Sequence, residues 1–377
     1  TDNLKYFAMT PLLLMQVLCV EHVLTVYGMT HVVLVYALLS RILSVLCSVI
    51  PVIFFNTGVP GAIIGLTLAS FGSFLVGMRL LTLPFKDVTR RKTDLTTADI
   101  LRFSMPVFSS SLYGFVIGSA SQFFVSRYLG VENFAMFANG YRELPIAGIV
   151  IGAVAGILLP EFSRMTKGGS DSKQYLVLWK NVVLKSAAVI YPFSLYCCIF
   201  APEIMGVLYG TVYREAADLF RIVTIINLVR IVPYGPIMFA LGKGKIFAKA
   251  HLVTALLLLG LDFLCVTFFP SLSAIAIIAT TTTVFCLVVL MVSTARLLNT
   301  GLSRLMPWKS MFKILSVSTF SCFLGSCAVN LIGVTRDFPA LLSGFLISIV
   351  IYLPLSYIAG INYARLLKPL VSTNQRK

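Results

Sequence analysis

The residues able to do chemistry in this sequence are charges set inside long apolar runs. Arg41 lies mid-way along 32–54, and Arg142 and Glu143 lie about two turns into 134–159. Arg230 is central in 218–241, with Asp218 and Arg221 nearer one end, and Asp262 falls within 250–269. Glu21 and His22 occupy the run 8–27. A charge in the middle of an apolar helix costs on the order of 3 kcal/mol or more unless it is paired or reached by water. Guanidinium groups stay protonated and grip phosphate oxygens two at a time. Arg41, Arg142 and Arg230 are therefore candidate ligands for an anionic group in a polar cavity.

A structural reading stands beside this one. Arg142 next to Glu143, and Asp218 three residues from Arg221, also read as internal ion pairs. Arg41 and Arg230 have no such neighbour. Ala37, Leu38, Ser44 and Val45 flank the first, and Ile226, Asn227, Pro233 and Tyr234 flank the second. Each must find water, cargo or a carboxylate on another helix, and the two are expected to face a shared polar cavity. Asp262 is the rival partner, or else a buried carboxylate that takes up a proton or a sodium ion. Glu143 and Asp218 carry the same alternatives of ion coupling or ion pairing.

Motifs for other chemistry are missing. The sequence has no Gly-rich nucleotide loop, GxSxG or HExxH, and its loops are too short for a catalytic domain. Gly168 and Gly169 sit in a connector. All eight cysteines lie in apolar runs without CxxC or zinc spacing. No enzyme activity, metal or cofactor is expected.

The elements that must position these charges follow from composition. The chain is 58% hydrophobic and 12% charged, with a mean hydropathy of +0.94. A soluble domain carries about 25% charged residues, so the solvent here is lipid. A spanning helix needs about 20 apolar residues. Eleven runs qualify: 8–27, 32–54, 59–83, 103–125, 134–159, 178–200, 218–241, 250–269, 274–295, 311–333 and 339–362. None shows the alternation of a membrane barrel. The expected fold is all-α and polytopic, with about eleven transmembrane helices.

The net charge of +16 belongs to short loops and signals topology rather than nucleic acid. One set of alternate loops, together with the tail 363–377, holds seventeen Lys and Arg residues, and the other set holds only Arg127, Arg214 and Arg336. The basic set, and with it the C-terminus, is expected to be cytoplasmic. Thr1 would then lie outside, and upstream helices are expected to precede it.

The polar linker 84–98 divides the chain, and the capping pattern Thr96 to Asp99 starts a new helix after it. From there the sequence reads ADILRFSMPVFSSSLYGF, then SRYLGVENFAMFANGYREL, then LLPEFSRM. A second stretch is LYGTVYREAADLFRI followed by FALGKGKIFAKA. These stretches resemble the second lobe of polysaccharide (O-antigen type) flippases of the multidrug/oligosaccharidyl-lipid/polysaccharide exporter superfamily. The resemblance covers about residues 30 to 300. It implies two six-helix lobes, often with two extra C-terminal helices. The expected organisation is a partial N-lobe over 1–83, a cytoplasmic linker over 84–98, a six-helix C-lobe over 99–296, and two accessory helices with a basic tail over 297–377. The N-lobe has three of the six helices that the resemblance implies, and the other three are expected upstream of Thr1.

The resemblance implies a flippase for a polyprenyl-pyrophosphate oligosaccharide in the bacterial cytoplasmic membrane. Its partners would be membrane lipids, a coupling proton or sodium ion, and polysaccharide assembly machinery. A peptidoglycan lipid-precursor flippase and a cation-coupled multidrug antiporter are the alternatives. A pocket for cationic drugs should be lined by carboxylates, whereas mid-span arginines outnumber acids here. The topology is tested by cysteine accessibility in a cysteine-free background. A reagent confined to the outside should label Asn133→Cys and spare Thr93→Cys, and the reverse pattern would contradict the orientation.

Overall fold

A computed structural model of the chain describes residue 7, residues 9–86, 96–143 and 145–361, and residue 363. The side chains of residues 16–18 and 26 fall outside this description, as do most of the linker 84–98 and the basic tail. The described residues are helical, with no strand among them, and they form two compact units, Thr1–Asp94 and Leu95–Lys377. Nine of their helices are long and apolar enough to cross a membrane.

The first unit contains α1 (Met9–Val26), α2 (Thr30–Phe55) and α3 (Gly58–Leu80). Lipid offers no hydrophobic drive between helices, so close approach and hydrogen bonding must hold them together. The sequence supplies both. Gly65, Ala69, Ser73 and Gly77 recur every four residues along α3 and are buried. A Cβ at Gly65 would stand 1.8 Å from the Cys47 carbonyl oxygen of α2. Tyr36 of α2 donates its hydroxyl to the Ser73 carbonyl at 2.8 Å, and Val20, Leu24 and Tyr36 form the small core. Along α2, the Ser40, Ser44 and Ser48 hydroxyls each donate to the carbonyl four residues back, which satisfies them without water.

The second unit begins with α4 (Thr97–Tyr128). Thr96 and Asp99 close a capping box: the Thr96 hydroxyl oxygen accepts from the Asp99 N–H at 3.2 Å, and the Asp99 carboxylate accepts from the Thr96 N–H at 3.1 Å. At 32 residues, α4 is about 48 Å long, beyond the roughly 30 Å hydrocarbon core. After it come α5 (Val131–Gly140), α6 (Pro145–Lys167), α7 (Ser172–Ile199) and α8 (Ala201–Tyr209). A 3-10 turn, Thr211–Ala216, leads to α9 (Ala217–Thr224), α10 (Ile226–Val229) and α11 (Gly235–Ala240). The unit ends with α12 (Gly244–Phe268), α13 (Leu272–Leu297), the short α14 (Leu302–Leu305), α15 (Trp308–Ile332) and α16 (Asp337–Ile358). The largest fully buried side chains of its core are Trp179, Phe137, Phe162 and Phe220. The last two long helices belong to this unit: α15 packs on α7 and α16, and α16 packs on α8.

Two expected spans differ from the sequence reading. The run 218–241 is three short helices rather than one, and 134–159 is interrupted at 141–143. Arg142, Glu143 and Arg230 therefore stand at breaks in the backbone, not inside helices. Pro233 and Pro236 explain the first interruption, because neither can donate to a helical ladder; Pro145 restarts the helix after the second, at a position where its missing N–H costs nothing.

The small-residue stripe of α3 makes a direct prediction. Gly65→Val should lower the thermal stability of the purified protein by about 1–3 kcal/mol through overpacking. Gly72→Val should be milder, because its nearest neighbour would be a Leu43 methyl at 3.9 Å. Equal effects would contradict the close helix approach.

Candidate functional site

The two backbone breaks of the second unit meet at one pocket. It has a volume of about 380 Å³ and is lined by Tyr141, Arg142 and Glu143 from the first break and Arg230 from the second. Its walls come from α4, through Ser121 and Gln122, and from α13, through Thr283. Gly114 and Gly118 of α4 also line it, and no atom lies within 4 Å of where their Cβ atoms would be. These glycines leave room for a ligand.

The breaks share a motif and a turn, offset by one residue. Each follows the pattern Arg-x-x-Pro, Arg142 to Pro145 and Arg230 to Pro233. The residue closing α5, Tyr141, has φ −84° and ψ 57°, and the residue closing α10, Arg230, has φ −86° and ψ 68°. These angles lie near the inverse γ-turn. At Arg230 the turn is closed by the Ile231 N–H donating to the Val229 carbonyl at 3.1 Å.

Broken helices release carbonyls that must find donors inside a membrane. Tyr191 of α7 donates its hydroxyl to the Leu228 carbonyl at 3.0 Å. Thr280 of α13 donates to the Ile222 carbonyl at 3.4 Å and also shares a hydrogen bond with the Tyr141 hydroxyl at 2.9 Å. Tyr141 stacks on Phe137, with ring centroids 5.0 Å apart. Interruption, support and pocket are thus one construction.

The charges pair differently from the local pattern in the sequence. Glu143 pairs with Arg230, 87 residues away, and not with Arg142 beside it. The side chains of this pair keep 31% and 24% of their exposure, so the bridge opens onto the pocket instead of being sealed. The Arg230 Nε is buried without a partner among the described residues. Arg142 is exposed, lines the same pocket, and forms no ion pair among the described residues. The pocket lining therefore carries one cation in excess of its acid.

The remaining candidates separate. Asp262 pairs with neither arginine. It is fully buried on α12, where Ser121 donates to its Oδ2 at 2.7 Å, and its Oδ1 has no partner among the described residues. Ser121 also lines the pocket, so Asp262 lies one hydroxyl behind it. Asp218 forms the local pair with Arg221 at 2.8 Å, on an exposed face. Arg41 belongs to the first unit and is exposed on α2, with Leu34, Leu38 and Val45 of the same helix exposed as well. Tyr141, Gln122 and Thr283 were not singled out in the sequence, although the doubled Arg-x-x-Pro is a readable sign of the two breaks.

Residues 7–218, more than half of the chain, match the sequence profile of a family described as polysaccharide biosynthesis protein. The chain belongs to this family. The matched region of this family member includes Arg41, Arg142 and Glu143 and ends before Arg230 and Asp262. A solved structure of the lipid II flippase MurJ, in an inward closed conformation, shares its fold with a TM-score of 0.62 at 14% sequence identity. That alignment covers 98% of this chain and 75% of MurJ. No curated protein matches the chain significantly in sequence.

Proposed function

We propose that this polysaccharide biosynthesis protein is a flippase that carries a polyprenyl-pyrophosphate oligosaccharide across the bacterial cytoplasmic membrane. The observation that supports this most is the pocket where Arg142, without an ion pair among the described residues, stands beside the open Glu143–Arg230 bridge. A pyrophosphate crossing hydrocarbon needs fixed cations to offset its lost hydration. Arg142 presents a planar fork that matches phosphate oxygens. Arg230 gives one nitrogen to Glu143 and keeps further donors for cargo. Glu143 holds Arg230 in place and offsets its charge while the pocket is empty, so the site is positive without being overcharged.

The remaining lining suits a sugar. Tyr141 offers an aromatic face, Gln122 and Thr283 offer hydrogen bonds, and the glycines leave space. Arg41, exposed on α2 of the first unit, would offer the cargo a further cation. Asp262, one hydroxyl behind the pocket, is where a coupling proton or sodium ion would be held. No step requires bond making or breaking, so the protein acts as a transporter rather than an enzyme. Its membrane partners would be the polysaccharide assembly machinery that supplies and takes the cargo.

A second reading is a peptidoglycan lipid-precursor flippase. The shared fold with MurJ favours it, and its pyrophosphate cargo would use the same arginines. A multidrug antiporter fits less well, because the excess charge of the pocket repels cations.

Reconstitution in proteoliposomes tests the proposal, using a labelled polyprenyl-pyrophosphate oligosaccharide and scoring transfer between leaflets. Arg142→Ala should slow transfer by about ten-fold or more, equivalent to about 1.4 kcal/mol, and Arg142→Lys should retain part of the rate. Arg41→Ala should slow it further in combination. Unchanged transfer by Arg142→Ala at matched protein incorporation would overturn the phosphate-binding role. Faster transfer of a peptidoglycan precursor than of other oligosaccharides would favour the second reading.

A further inference from the structure

A second polar feature lies away from the pocket, in a groove between α4 and α12. The groove has a volume of about 460 Å³, and Arg102, Lys245 and Lys249 line it with no acidic residue among the lining residues. Its apolar walls include Leu101, Met105 and Leu252. The two helices run parallel, since Pro106 lies against Gly244 and Ser121 bonds to Asp262 further along both. A Cβ at Gly244 would come within 3.3 Å of Pro106 and 2.9 Å of Phe239, so glycine permits this close start.

Parallel helices bring their N-termini to the same end, and the groove sits there. Arg102 is in the second turn of α4, and Lys245 and Lys249 are in the first two turns of α12. A helix N-terminus carries partial positive charge and favours anions, not cations. Lys245 and Lys249 are also four residues apart, an unfavourable spacing for like charges. Asp99, the nearby acid in α4, is engaged in the capping box with Thr96. Among the described residues no acid lines the groove, and an anion bound there would offset its three cations. By the loop-charge bias, this end faces the cytoplasmic leaflet.

We propose that the α4–α12 groove binds the headgroup phosphate of an anionic phospholipid of the cytoplasmic leaflet. Arg102, Lys245 and Lys249 hold the phosphate, and the apolar walls take the upper acyl carbons. Free phosphate has no use for Leu101, Met105 and Leu252, so the walls point to a lipid. Basic pockets between membrane helices on the cytoplasmic side recognise headgroups in this way. The site does not depend on the cargo, and it would tie the lipid to the α4–α12 pair that also carries Ser121 and Asp262.

The test is native mass spectrometry of the full chain in detergent, titrated with dioleoyl phosphatidylglycerol or dioleoyl phosphatidylcholine. The wild type should retain the anionic lipid about ten-fold more tightly than the zwitterionic one. Arg102→Gln/Lys245→Gln/Lys249→Gln should lose that preference, and Lys245→Gln/Lys249→Gln alone should weaken it if the triple variant folds poorly. A control, Arg304→Gln/Lys309→Gln/Lys313→Gln, removes the same charge elsewhere and should keep the preference. Millimolar inorganic phosphate should not displace the lipid. Equal loss in the control, no loss in the groove variants, displacement by free phosphate, or stronger binding of polyprenyl pyrophosphate than of phosphatidylglycerol would each overturn the proposal.

Discussion

The second unit depends on how an interrupted backbone is tolerated inside hydrocarbon. An unpaired carbonyl or N–H there costs several kcal/mol, so a break must be enclosed by protein or by a polar pocket. Here two breaks meet, and the Glu143–Arg230 bridge joins them. Tyr191 and Thr280, which donate to the Leu228 and Ile222 carbonyls, come from neighbouring long helices. The pocket is the consequence: helices that stop in the unit leave polar ends with space between them.

The two units solve the packing problem differently. In the first, small residues every four positions on α3 let α2 approach backbone to side chain, and serine hydroxyls are spent on their own helix. The second packs large aromatic side chains and crosses its helices through buried polar links such as Ser121 to Asp262. Two of its polar features, the Arg142 pocket and the basic groove, both border α4. This helix is long enough to reach from the headgroup region through the membrane, so one element carries both.

Hydropathy made the all-α membrane architecture legible, because run length against bilayer thickness is a strong constraint. The capping box at Thr96 and Asp99 was legible too, from residue types that have few other uses at that spacing. Hydropathy hid the breaks, which only the doubled Arg-x-x-Pro marks. Averaged hydropathy over 218–241 stays high although Pro233 and Pro236 stand in it, and prolines are common in membrane helices that continue. The Arg142–Glu143 adjacency misdirected the pairing, because consecutive residues point to different sides and the acid was free to reach across to Arg230. Asp262 illustrates the same limit, since its partner Ser121 is 141 residues away and belongs to no motif.

The central claim is that the Glu143–Arg230 bridge holds the two breaks together, and a charge-reversal cycle tests it most directly. Thermal unfolding of the purified protein would be measured for Glu143→Arg, Arg230→Glu and the double variant. Either single reversal should cost about 2 kcal/mol or more, since each leaves like charges in a site less than one-third exposed. The double reversal should recover most of that loss through restored pairing. Additive losses in the double variant would contradict the account, and so would single reversals with no effect on stability.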